Sequence, residues 1–202
     1  MNYLAHILLS GEDKQVQIGN FMGDAVKGKA YNNYPIQIRK GLLLHRKIDS
    51  FTDSNIFVKQ SKRRLNSRYG HYSSVLIDVF YDYLLAKNWK LFTATALDVF
   101  INNFYQNLED NYNLLHPETQ HLARRIIQSD WMKNYTNLSG IEKVLIKMEG
   151  QIIHDIPLHL AIEDLKNNLT NLEIDFLNFF PLIQEYSIQT IDLLNKKYDV
   201  KN

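Results

Sequence analysis

The stretch HRKIDSFTD sets His45, Asp49 and Asp53 at successive four-residue intervals. On a helix this spacing stacks the side chains on one face, and an imidazole one turn from a carboxylate is a spacing that metal sites use. His45 and Asp49 follow the apolar run of Leu42, Leu43 and Leu44, whereas Asp53, in FTDSN, reads as a cap for the next helix. A second stretch, VLIDVFYDYLLA from Val75 to Ala86, is apolar or aromatic except at Asp78 and Asp82. A helix that is apolar all round is buried on most sides, and its two carboxylates, four residues apart, share a face. Like charges in an interior are costly, so the fold must supply protons, cationic partners or a metal.

Two further polar groups stand alone in apolar surroundings: His6 in YLAHILL and Asp24 in GNFMGDAVKG, four residues after Asn20. Gly19, Gly23 and Gly28 around Asp24 permit close approach of another segment or a ligand. Together His6, Asp24, His45, Asp49, Asp78 and Asp82 offer two imidazoles and four carboxylates. With no cysteine in the chain, that set suits Mn²⁺, Fe²⁺ or Mg²⁺ better than a structural zinc. A divalent ion so held activates water at neutral pH and neutralises a phosphoryl oxygen, as phosphoester hydrolysis requires. The same residues admit a metal-free reading, with the carboxylates neutralised by arginines and His6 bonded to a backbone carbonyl. His71, in RYGHYSS, reads as a turn residue or a general acid; His116, His121, His154 and His159 read as structural.

The elements that must position these groups are helices. Apolar residues recur at three- and four-residue spacing almost throughout, which points to an all-α, single-domain helical bundle over residues 1–202. Helices are expected near 2–10, 19–29, 35–50, 54–67, 71–87, 93–113, 117–134, 138–150, 157–170 and 173–197, with a kink at Pro181. With 45% hydrophobic residues, four prolines and eight glycines, the chain can bury one sizeable core and has few linker-like segments. The absence of cysteine fits a reducing compartment, and neither a signal peptide nor a membrane span is expected, which points to a cytoplasmic protein.

Charge is uneven along the chain. Residues 25–77 carry eleven basic and two acidic side chains, while residues 78–202 carry eleven basic and seventeen acidic ones. A basic segment of this kind is either a solvated face or an attractor of phosphate, nucleic acid or an acidic protein. Nucleic acid ranks below the others, because the overall pI is only about 7.9.

The motifs MNYLAH, GNFMGDAVKG, GLLLHRKIDSFTD and IDVFYDYLLAKNW, in that order, resemble the acyl carrier protein phosphodiesterase family over roughly the first 90 residues. The resemblance implies an all-helical fold related distantly to the HD phosphohydrolases, although the adjacent His-Asp pair of ordinary HD enzymes is absent here. It implies a divalent-metal activity that prefers Mn²⁺ and releases 4′-phosphopantetheine from the serine of holo acyl carrier protein. Carried over by position, Asp24, His45, Arg46, Asp49, Asp53, Asp78 and Asp82 fall at matching places, and His6 matches the N-terminal histidine. Tyr83 stands where the family commonly has a histidine, and a tyrosine is a poor base and a poor Mn²⁺ ligand at neutral pH.

On this reading Asp24, His45, Asp49 and Asp78, with His6 and Asp82, make up the metal site and Arg46 stabilises developing phosphoryl charge. Lys59, Lys62, Arg63, Arg64 and Arg68 would dock the acidic carrier protein. Two other functions remain open on sequence: a nucleotide or generic phosphodiester phosphohydrolase, and a non-catalytic helical module that binds an acidic protein.

Overall fold

The computed structural model describes residues 2–152 and 156–199, so His154 lies outside the described residues. The periodicity reading holds: the described residues are helical, with no strand among them. The α-helices are α1 (Tyr3–Leu8), α2 (Lys14–Phe21), α3 (Ile36–Ser54), α4 (Ile56–Tyr69), α5 (Tyr72–Lys87), α6 (Leu97–Asp110), α7 (Pro117–Gln128), α8 (Leu138–Glu149) and α9 (Ala161–Asp199). Local chemistry explains several starts. Asn2 and Asp13 cap α1 and α2 by accepting amide hydrogen bonds, Asn137 caps α8 through the Gly140 amide, and Pro117 opens α7 in the first turn.

Four expectations are corrected. The helix foreseen at 19–29 runs instead from Lys14 to Phe21, so Asp24 sits in a connection rather than on a helix. The helix foreseen at 117–134 ends at Gln128, because Asp130 is left-handed at φ 47° and a 3₁₀ segment follows over Trp131–Thr136. The two helices foreseen at 157–170 and 173–197 are one, α9, which continues through Pro181. The amide that proline lacks would have bonded the carbonyl of Leu177, and both residues are exposed enough for water to satisfy it. Asp53 does not cap α4: it lies inside α3 and pairs with Lys62 at 2.9 Å, while Asn55 accepts from the Phe57 amide.

The buried apolar side chains form one contiguous cluster from Leu4 to Ile183. Helix α9 packs along α3 and α4, and two of its acidic residues meet cations of the basic segment: Arg64 pairs with buried Asp175 at 2.5 Å and Arg68 with Asp164 at 3.1 Å. Lys87, beyond that segment, pairs with Glu173 at 2.6 Å. Among the described residues no helix is long and apolar enough to cross a membrane.

Asp78 and Asp82 share the face of α5 that meets the start of α1, as their spacing requires. Asp82 is fully buried and accepts from the amides of Leu4 (2.8 Å) and Ala5 (3.3 Å). Burial pushes its pKa up to about 7 against the opposing pull of those two amides. Both oxygens are thus committed to the N-terminus of α1, and the expectation that Asp82 is a metal ligand is corrected: it anchors the helix that carries His6. Asp82→Ala would strand two buried amides at a cost of about 1–3 kcal/mol. Thermal melting should show a fall of about 2–4 °C per kcal/mol for a chain of this size; an unchanged melting temperature would refute the anchoring role.

Candidate metal centre

The site is built on the crossing of α2 and α3. A Cβ on Gly19 would stand 2.1 Å from the Ile38 carbonyl oxygen, and one on Gly41 would stand 2.1 Å from that of Val16, so the two backbones touch where no side chain fits. From Gly41, four-residue steps along the same face reach His45 and then Asp49, while Gly19 precedes Asn20. The close crossing therefore lowers His45 onto Asn20, and α1, held by Asp82, brings His6 alongside.

Hydrogen bonding settles the state of both imidazoles. His45 Nδ1 lies 2.9 Å from the Asn20 backbone carbonyl, which can only accept, so Nδ1 carries the proton. The Asn20 side-chain amide donates to the His6 carbonyl (2.9 Å) and to Ser10 Oγ (2.8 Å), which leaves its Oδ1 to accept from His6 Nδ1 at 2.8 Å. One asparagine thus fixes the tautomers of two histidines and turns both Nε2 atoms the other way, toward Asp49. A metal-ligating histidine has the same arrangement, with its second nitrogen held by an outer partner.

His6 Nε2 is 3.2 Å from Asp49 Oδ1 and His45 Nε2 is 3.0 Å from Asp49 Oδ2, with the two rings stacked at 4.3 Å. Neutral Nε2 atoms and a carboxylate are all acceptors, so their convergence is repulsive until a proton or a metal cation joins them. Burial lowers both imidazoles, but at His45 the carboxylates of Asp24 and Asp49 outweigh it and raise the pKa to about 9, while His6 stays below the ordinary value. Asp49 is held well below the usual carboxylate range: burial raises it, and the two imidazoles more than reverse that. His45 Nε2 is buried yet has no aligned hydrogen-bond partner among the described residues. A ligand atom from each of His6, His45 and Asp49 falls within 4.8 Å of the others, and the cluster can hold a metal ion. Asp24 adds a second carboxylate at the solvent edge, 3.6 Å from His45 Nε2 and lowered chiefly by that imidazole. Two carboxylates and two neutral imidazoles balance one divalent charge.

The other residues singled out in the sequence are placed differently. Asp78 is half-buried and does not join the cluster, but it lines with Asp24 a cleft of about 610 Å³ between α1, α5, α7 and α8. The Arg46 guanidinium donates to the Val26 carbonyl at 2.8 Å and lies 5.2 Å from the centre of the Tyr31 ring. It braces the connection that bears Asp24. Tyr83 is a core side chain, 7% exposed, and lines neither cluster nor cleft. Of the five docking cations, Arg64 and Arg68 are engaged by α9 and Lys62 by Asp53, and Lys59, Lys62 and Arg63 line a shallow cleft with His71, Ser73 and Ser74. Asn20 went unrecognised as a functional residue in the sequence, where its only signal was its place four residues before Asp24. Gly23, expected to permit close approach of another segment, does so: the His45 ring packs against it.

A family model described as acyl carrier protein phosphodiesterase matches residues 1–183. A protein of that name from Pectobacterium atrosepticum is 31% identical over 92% of this chain and 96% of its own length. Others from Photorhabdus laumondii (26% identical, covering 92% and 94%) and Yersinia enterocolitica (28% identical, covering 90% and 94%) are similar. No solved structure matches the chain.

Proposed function

Because the chain belongs to the acyl carrier protein phosphodiesterase family, we propose that His6, His45, Asp49 and Asp24 form the metal centre of its reaction. That reaction is hydrolysis of the phosphodiester joining 4′-phosphopantetheine to the serine of holo acyl carrier protein, which yields the apo protein. The observation that carries the assignment is the convergence of two Nε2 lone pairs, both tautomers set by Asn20, on the Asp49 carboxylate. A divalent ion bound there would polarise the phosphoryl oxygens and lower the pKa of a water molecule. Mn²⁺ is the ion we assign, since nitrogen and oxygen donors without thiolate suit it and the family resemblance implies it.

The chain's own residues do the rest. Asn20 orients both imidazoles, Asp49 bridges them, and Asp24 keeps a carboxylate at the open side, where the phosphodiester must enter. Arg46 fixes the connection on which Asp24 rides. Lys59, Lys62 and Arg63 form the positive face for the acidic carrier protein, steering it by long-range attraction.

Mass spectrometry of holo acyl carrier protein after incubation with the chain tests this reading. Loss of the phosphopantetheine mass with Mn²⁺ and its retention with a chelator are expected; an unchanged carrier mass with Mn²⁺ present would refute it. Joint reversal of Lys59 and Arg63 to Glu should raise KM for the carrier protein about tenfold. Turnover of a small phosphodiester such as bis(p-nitrophenyl) phosphate should stay as it was. Equal loss on both substrates would remove these cations from docking.

A further inference from the structure

The cleft beside the metal centre has features that the hydrolytic step does not use. Asp24 belongs to both, so the cleft opens directly from the cluster. Its volume of about 610 Å³ lies within the range of small-molecule sites. Val75, Leu122, Ile126 and Met148 give it an apolar wall, with Trp131 at one side. Asn2, Ser129 and Gln151 contribute polar groups that can donate and accept. Carboxylates line it at Asp24 and Asp78, and two cations, Arg125 and Lys147, line it as well and can donate to amide carbonyls, Lys147 lying 4.9 Å from the centre of the Trp131 ring.

The order of surfaces along α5 matters as well. Ser73 and Ser74 line the basic cleft at Lys59 and Arg63, and Val75 and Asp78 line this one. Ser74 and Asp78 are about 6 Å apart along the helix axis. The two clefts are thus neighbours along α5, and a carrier protein on the basic cleft would have the larger cleft beside it to receive its prosthetic group.

We infer that this cleft takes the pantetheine arm of the substrate: a linear, uncharged chain with a gem-dimethyl group, one hydroxyl, two amides and a terminal thiol. Val75, Leu122, Ile126 and Met148 cover its methyl and methylene groups, and the polar residues pair with its amides. The inference rests on the hydrolase reading, and it makes the cleft, rather than the metal centre, the part that distinguishes a pantetheine ester from other phosphodiesters.

Trp131 supplies a reporter, because the other tryptophan, Trp89, is buried against Phe100 and lines no part of the cleft. In a Trp89→Phe background, pantetheine, which carries no phosphate and needs no metal, is titrated at millimolar concentrations against Trp131 emission. A saturable change is expected, weakened at least tenfold by Val75→Phe or Met148→Phe, which narrow the cleft at half-exposed positions. The same two variants should raise KM for holo acyl carrier protein about tenfold and leave bis(p-nitrophenyl) phosphate hydrolysis unchanged. Trp131 emission that does not respond, or variants that bind pantetheine and turn over holo carrier protein as the parent does, would overturn the assignment. Failure of the unsubstituted chain to hydrolyse any phosphodiester would sink the hydrolase reading instead, and the pantetheine titration would still decide the cleft.

Discussion

Asp49→Asn is expected to lower hydrolysis of holo acyl carrier protein by about three orders of magnitude, the several kcal/mol that a correctly held divalent ion supplies to a phosphoryl transition state. Asp49 is the sole side chain within 3.2 Å of both imidazole Nε2 atoms among the described residues. An amide in its place offers one neutral oxygen where the carboxylate offered two anionic ones. The substitution should leave the fold intact, since the carboxylate is 41% exposed and lies at the edge of the core. Without metal the amide loses the pairing between the Asp49 carboxylate and the His45 imidazolium, so the metal-free variant should melt somewhat below the metal-free parent while staying folded. Steady-state rates, Mn²⁺ binding and melting curves on the two proteins check this. A variant that retained metal and rate would place the chemistry elsewhere, and one that unfolded would make Asp49 a structural residue.

The second large effect comes from a residue with no side chain. A Cβ on Gly23 would lie 2.0 Å from His45 Cγ, 2.3 Å from Cδ2 and 2.4 Å from Nδ1. Gly23→Ala must therefore rotate the His45 ring off Asn20 or push back the connection that carries Asp24. Either movement misplaces a ligand by about 1 Å, and misplacement of that size costs about 10²-fold in rate. Gly28→Ala is the control. Its Cβ would meet nothing within 4 Å, and the positive φ of 58° costs about 1–2 kcal/mol of backbone strain without reaching the site. Activity near that of the parent is expected for Gly28→Ala, together with a lower melting temperature; comparable activity losses in both variants would separate Gly23 from the metal centre.

The helices and the chemistry-bearing residues were legible in the sequence for different reasons. Apolar spacing revealed the helices because nearly every one buries a face in a single core. His6 stood out as a polar group in an apolar run, and His45 and Asp49 by their four-residue spacing after one; the structure brings those three together. Asp82 has the same signature and a different role, since only the arrival of α1, 77 to 78 residues away in sequence, shows which amides its carboxylate meets. Asn20 looked ordinary because its importance lies in what α3 places against it, and Gly23 showed only that something would approach closely, not that it would be His45. The basic segment was overread for a similar reason. Net charge per segment does not reveal that Arg64 and Arg68 face Asp175 and Asp164 across α9, and only part of the cationic surface remains open to a partner.

The proposed reaction requires a divalent ion held by His6, His45 and Asp49. Anomalous diffraction from crystals of the protein grown with Mn²⁺, collected near the manganese absorption edge, tests it most directly. The expected result is a strong peak between His6 Nε2, His45 Nε2 and the Asp49 carboxylate, with Asp24 facing it and both Nδ1 atoms still bonded to Asn20. A peak elsewhere in an active protein, or active crystals with none, would contradict the assignment.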